Sequence, residues 1–156
     1  MAPLLIIGCG NPLRGDDAVA WRAAERLAES LRDTDALVRT SHQLTPELAE
    51  AISQARRVIF LDADCGRRPG EVALRPVEPA SSLSDLFTHQ LTPERLLALA
   101  KRLYGSCPEA VLISVGAGSF EFGEALSPEV EAALPALLEK LYTAGGIGLQ
   151  PCPGNS

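Results

Sequence analysis

The residues able to do chemistry are few, and their positions along the chain are distinctive. Asp62 closes the apolar run Val58-Ile59-Phe60-Leu61. A carboxylate at such a strand end must project into the crevice beyond the sheet or meet a heavy desolvation penalty. Asp16 and Asp17 follow the glycine-rich segment Gly8-Cys9-Gly10-Asn11-Pro12-Leu13-Arg14-Gly15. The chain has two histidines, His42 and His89, each just ahead of a predicted helix start. One imidazole and two carboxylates form a mixed donor set suited to a borderline divalent metal with open coordination positions. Each member also has a structural reading. One of Asp16 and Asp17 fits a helix N-cap and the other a first helical turn. Asp62 would cap a neighbouring loop, and His89 would be a satisfied loop histidine.

Other motifs fail on inspection. G-x-G-x-x-G needs a glycine at position 13, where Leu13 stands, and a P-loop needs Gly-Lys-Ser/Thr, whereas both lysines, Lys101 and Lys140, lie elsewhere. Ser119 lacks the G-x-S-x-G elbow of serine hydrolases. Cys9 and Cys65 also fall at strand ends, where thiolates would suit a soft metal; small, inert core residues are the commoner case.

These residues need a scaffold, and the hydrophobic pattern supplies one. Residues 4–8 read as a buried strand, 17–32 as an amphipathic helix with Val19, Ala23, Leu27 and Leu31 on its stripe, and 36–40 as a second strand. Thr45-Pro46-Glu47, Thr92-Pro93-Glu94 and Ser127-Pro128-Glu129 each look like an N-cap, a first-turn proline and an acid facing the positive dipole end. Between them lie a clear strand at 57–62, a weak edge strand at 71–77 and a buried strand at 111–115, and the last helix runs to about Tyr142. This alternation predicts one three-layer α/β/α domain over 1–144, with a twisted, mostly parallel sheet of about five strands. A Gly/Pro-rich tail covers 145–156. His42-Gln43-Leu44-Thr45-Pro46-Glu47 recurs as His89-Gln90-Leu91-Thr92-Pro93-Glu94, but the flanking residues do not match, so helix-start chemistry explains much of the likeness.

Composition narrows the classes further. At 156 residues the chain is the size of one domain, and 46% hydrophobic with 22% charged residues is an ordinary globular mix. Fourteen basic against twenty acidic residues gives a net charge of −6, without the basic footprint that nucleic-acid binding needs. No apolar run approaches the roughly 20 residues of a membrane span. No basic segment precedes an apolar one as in a signal peptide, so a soluble, cytoplasmic protein is expected. Four widely spaced cysteines without a C-x-x-C pair argue against a disulfide scaffold or zinc knuckle.

The segment from Leu5 to Val19, Leu5-Ile6-Ile7-Gly8-Cys9-Gly10-Asn11-Pro12-Leu13-Arg14-Gly15-Asp16-Asp17-Ala18-Val19, resembles the N-terminal signature of the [NiFe]-hydrogenase maturation endopeptidases. Val58 to Asp64, Thr88-His89-Gln90-Leu91 and Gly123-Glu124-Ala125-Leu126-Ser127-Pro128-Glu129-Val130 resemble the same family in the same order. The resemblance implies an α/β/α endopeptidase that removes a C-terminal extension from the hydrogenase large-subunit precursor after nickel insertion. It implies metal contact at Asp17, Asp62 and His89, with the nickel ion arriving on the substrate. Asp16 would then be a supporting carboxylate or general base beside them. The chain departs from the pattern at Asp17, where some members carry Glu, at Ala18 in place of Gly, and at Thr40-Ser41-His42-Gln43 in place of an Asp-Gly-Gly segment. These departures bear on which large subunit is processed. Two rival readings remain: a nickel-sensing assembly factor for the same precursor that binds without cutting, and a peptidyl-tRNA-hydrolase-like enzyme. The second shares the G-x-G-N-P turn but would need a basic RNA-binding surface.

Overall fold

The computed structural model describes residues 4–82, 91–119 and 126–146. Five strands form one sheet: β1 (Leu4–Cys9), β2 (Leu37–Ser41), β3 (Arg57–Asp64), β4 (Val72–Val77) and β5 (Glu109–Gly116). They lie in the order β2-β1-β3-β5-β4; the first four run parallel and β4 is antiparallel to β5. Pro76, which cannot donate a ladder hydrogen bond, sits on this β4 edge, where a proline is tolerated.

Alternation along the central strands assigns the helices to two faces. Ile6, Ile59 and Ile113 pack with α1 (Val19–Ser30) and α4 (Pro128–Gly145), through Ala23, Leu27, Leu134 and Leu137. Leu5, Ile7, Val58 and Phe60 face the other way, onto α2 (Leu48–Gln54) and α3 (Pro93–Tyr104), through Ile52, Leu96 and Leu97. Apolar residues on both faces of β1 and β3 make these strands the continuous runs seen in the sequence. The expected α/β/α domain with its mostly parallel five-stranded sheet is present, and among the described residues no helix is long and apolar enough to cross a membrane.

Helix starts follow the expected chemistry unevenly. Thr92 caps α3 through Oγ1, which accepts from the Arg95 amide at 3.2 Å, and Gly105 ends the helix in the left-handed region at φ 81°. Before α2, the carbonyls of Thr45 and Pro46 accept from the Leu48 and Ala49 amides, both at 3.1 Å. These three-residue steps make a tighter turn, so the α-helix proper begins at Leu48, beyond the expected Thr45 cap. The last helix runs three residues past Tyr142 to Gly145, and Gly146 closes it at φ 68°; the rest of the predicted tail lies outside the described residues.

The far end of β5 shows how tightly the carboxyl edge of the sheet is packed. Gly116 receives the Gly70 amide on its carbonyl at 2.9 Å and donates to the Glu71 carbonyl at 2.8 Å. A Cβ on Gly116 would sit 1.8 Å from the Arg68 carbonyl oxygen, which is backbone and cannot swing away. Gly116→Ala should therefore lose at least about 2 kcal/mol of stability, read as a lower urea midpoint with an unchanged slope.

Candidate active site

Ligands of open α/β sheets bind beyond the carboxyl ends of the strands, where the strand order reverses. Here the chain goes from β1 out to β2 and returns to β3 on the opposite side of β1, so the reversal lies between β1 and β3. Cys9 ends one of these strands and Asp62 to Asp64 end the other.

Asp17 reaches the crevice on a 3-10 turn, Gly15–Ala18, between β1 and α1. The turn folds back on the strand end so closely that a Cβ on Gly10 would lie 2.2 Å from the Asp17 carbonyl oxygen, and Gly10 itself has φ 149°. The Asp17 carboxylate accepts from the Asn11 amide at 2.7 Å, while the Asp17 amide donates to the Arg14 carbonyl at 3.0 Å. Asp62 is half-buried, and its Oδ1 accepts from the Ala63 amide at 2.8 Å. Burial pushes its carboxyl up to about 6, and repulsion from the Asp17 and Asp64 carboxylates adds to the rise. Asp17 and Asp62, 45 positions apart in the sequence, therefore share one electrostatic neighbourhood.

Three further side chains surround this pair. Burial raises the Cys9 thiol to about 11, with the Asp62 and Asp17 charges contributing, and Sγ donates a long 3.6 Å contact to the His42 carbonyl. The exposed His42 imidazole meets the Trp21 ring edge-to-face at 5.9 Å. Trp21 Nε1 donates to the Gly10 carbonyl at 2.7 Å. Sequence reasoning left Cys9 and His42 without a role; their place here follows from the pairing of β1 with β2, which brings Cys9 beside Ser41.

Asp16 is placed quite differently from Asp17. Its residue is 0% exposed, and its two oxygens accept four hydrogen bonds: from the amides of Gly118 (2.6 Å), Ser119 (2.9 Å) and Ser127 (2.6 Å), and from the Ser127 hydroxyl (2.7 Å). Burial alone would raise its carboxyl, but the Ser127, Gly118 and Ser119 bonds outweigh that and hold it below the usual range. A carboxylate so placed keeps its charge and has no oxygen turned toward solvent, which is the wrong setting for a general base.

The profile of the family described as hydrogenase maturation protease (HycI) matches residues 23–144. This chain belongs to that family. Hydrogenase maturation proteases are endopeptidases, so the enzyme class expected from the sequence holds and the peptidyl-tRNA-hydrolase alternative falls. The fold agrees with solved members. The chain is 25% identical to the hydrogenase maturating endopeptidase HybD from Escherichia coli, over 90% of each chain, with a TM-score of 0.69. It is 26% identical to the [NiFe] hydrogenase maturation protease HycI from Thermococcus kodakarensis, over 93% of each chain, at TM-score 0.72. It is 28% identical to a hydrogenase 2 maturation peptidase from a thaumarchaeon, over 93% of this chain and 99% of that one, at TM-score 0.70. Among functionally curated proteins none matches the chain.

For this maturation protease, the structure brings Asp17 and Asp62 together, and His89 lies outside the described residues. Among the described residues no group of three or more His, Cys, Asp or Glu forms a complete metal cage. The Asp62 carboxyl, raised first by burial and then by the Asp17 and Asp64 charges, is under electrostatic tension in this half-buried crevice. That tension gives a measurable signature. A carboxyl whose folded value lies above its unfolded value holds its proton more tightly in the native state. Stability is therefore lost as pH rises from about 4 toward 6. Asp62→Asn should be more stable than the parent above pH 6, by on the order of 1–3 kcal/mol, with the difference vanishing below about pH 4. Unfolding midpoints at the two pH values measure it. The thiols should also separate: with iodoacetamide at pH 7.5, exposed Cys65 should label well before Cys9, whose thiolate is scarce. Peptide mass spectrometry over a time course reads the order, and faster labelling of Cys9 would contradict the buried, repelled thiol.

Proposed function

We propose that this maturation protease removes the C-terminal extension of a [NiFe]-hydrogenase large-subunit precursor, and that it tests for inserted nickel before cutting. The observation that carries this reading is the mutual approach of Asp17 and Asp62 at the β1/β3 reversal, with the Asp62 carboxyl pushed up to about 6. An enzyme whose own pair of carboxylates is left in tension binds best to a partner that delivers a cation. Nickel held by the precursor is such a cation, so it belongs to the substrate. Asp17 and Asp62 supply two oxygens toward it, and His89, from its matching motif, supplies the nitrogen of the set. Recognition of nickel and placement of the scissile bond then become one docking event, which gives the orientation that peptide hydrolysis needs.

The chain's residues also favour water over a covalent nucleophile. Cys9 is the thiol next to the carboxylates, and raising it to about 11 removes it as an attacking group at neutral pH. A surface of net charge −6 suits a protein partner and disfavours nucleic acid.

The test is intact-mass spectrometry of a large-subunit precursor from the same genome, loaded with nickel or free of it, mixed with the purified enzyme. A short C-terminal peptide should leave only the loaded precursor. His89→Ala and Asp62→Asn should each lower the rate by at least about a hundredfold, as expected when a group is lost that orients the reacting bond. Equal cleavage of loaded and nickel-free precursor would overturn nickel recognition. Tight binding without cleavage would point to an assembly role.

A further inference from the structure

Asp17 and Asp62 sit on different elements, and their separation is set by what fastens the turn carrying Asp17. The 3-10 turn packs against β3, the strand that carries Asp62 near its carboxyl end and lies between β1 and β5. On the far side of β3, the Asp16 carboxylate is bonded to Gly118 and Ser119, just after β5, and to Ser127, at the start of α4. The Asp16 amide donates to the Ser119 carbonyl at 2.8 Å, so backbone and side chain both join the contact. The β5 end is itself fixed to β3, where the Ala117 amide donates to the Asp64 carbonyl at 2.9 Å. Together these bonds make a bridge from the turn after β1 to the chain after β5, on either side of β3.

Ser127 joins the bridge to the start of α4. It occupies the N-cap position of that helix, its hydroxyl makes no cap bond, and its O–H donates to Asp16. A buried ionised carboxylate needs such donors.

We propose that Asp16 is a positioning residue: through its bonds to Gly118, Ser119 and Ser127 it fixes the spacing of Asp17 from Asp62, and so the geometry in which the precursor is held. This rests on the reading of Asp17 and Asp62 as the substrate-contacting pair. Asp16 touches neither substrate nor nickel; it acts through the residue beside it.

The experiment measures kcat and KM for the full chain on the nickel-loaded precursor, with Asp16→Asn, Ser127→Ala, Ser127→Thr and Asp62→Asn. Circular dichroism fixes the folded fraction at the assay temperature, and rates are expressed per folded molecule. A displacement of about 1 Å in a positioning contact lowers catalysis on the order of 100-fold. Asp16→Asn should therefore lose about 10- to 100-fold in kcat per folded molecule. Ser127→Ala should lose less, and Ser127→Thr, which keeps the hydroxyl, should recover most of that loss. A purely structural tie would lower the unfolding midpoint while leaving kcat per folded molecule unchanged, and that result would overturn the proposal. If Asp16→Asn does not fold, the Ser127 pair decides: equal kcat for the alanine and threonine variants overturns it. An inactive Asp62→Asn beside fully active Asp16→Asn and Ser127→Ala would sink the positioning role alone. A fully active Asp62→Asn would sink the underlying site reading, and the positioning role with it.

Discussion

Burial first, and then the Asp17 and Asp64 charges, oppose ionisation of Asp62, and the end of the sheet nevertheless holds it in that setting. Asp17 and Asp62 would move apart if their supports were soft, because nothing in their own interaction favours proximity. The supports are correspondingly stiff. Asp62 directly follows Leu61, the last β3 residue paired with β1, and is itself paired with Ser114 of β5. Asp17 rides on a turn whose return passes so close to Gly10 that no side chain fits there.

The neighbouring residues show how position divides labour between identical side chains. Asp16 and Asp17 are consecutive, and on a 3-10 turn consecutive side chains diverge by about 120°. One carboxylate therefore points into the protein and collects four donors, while the other points into the crevice and collects one backbone amide. The same chemistry serves as a fastening in the first case and as an unsatisfied anion in the second. Cys9 follows the same logic from the other direction: buried, and beside two negative charges, a group that would otherwise be nucleophilic stays protonated.

Much of this was legible in the sequence because it depends on local pattern. The α/β/α order follows from apolar runs such as Val58-Ile59-Phe60-Leu61 alternating with helical stripes such as Val19, Ala23 and Leu27, and the sheet confirms it. Asp62 stood out because a carboxylate closing an apolar strand has few places to go. The bridge at Asp16 was not legible in the same way. Three of its four bonds come from backbone amides, which carry no residue signature, and all of its partners lie more than 100 positions away. Ser127 was readable as a helix cap and occupies the cap position, yet its hydroxyl is taken by a tertiary partner. At α2 the Thr45-Pro46-Glu47 motif marked the region correctly, but a tighter turn intervenes before the helix. Local chemistry says where a turn begins; long-range contacts decide how its donors are spent.

The sheet order then explains why the chemistry sits where it does. A reversal between β1 and β3 sends α1 to one face and α2 to the other, and in open α/β sheets such a reversal leaves a gap at the carboxyl ends. Among the described residues the strand end at Cys9, the 3-10 turn and the end of β3 around Asp62 lie at this reversal. Only the turn among them is free of the sheet's hydrogen bonding, so it is the piece whose position must be secured by other means. That is why the strongest cluster of side-chain hydrogen bonds among the described residues falls on Asp16, one residue away from the carboxylate that faces the gap.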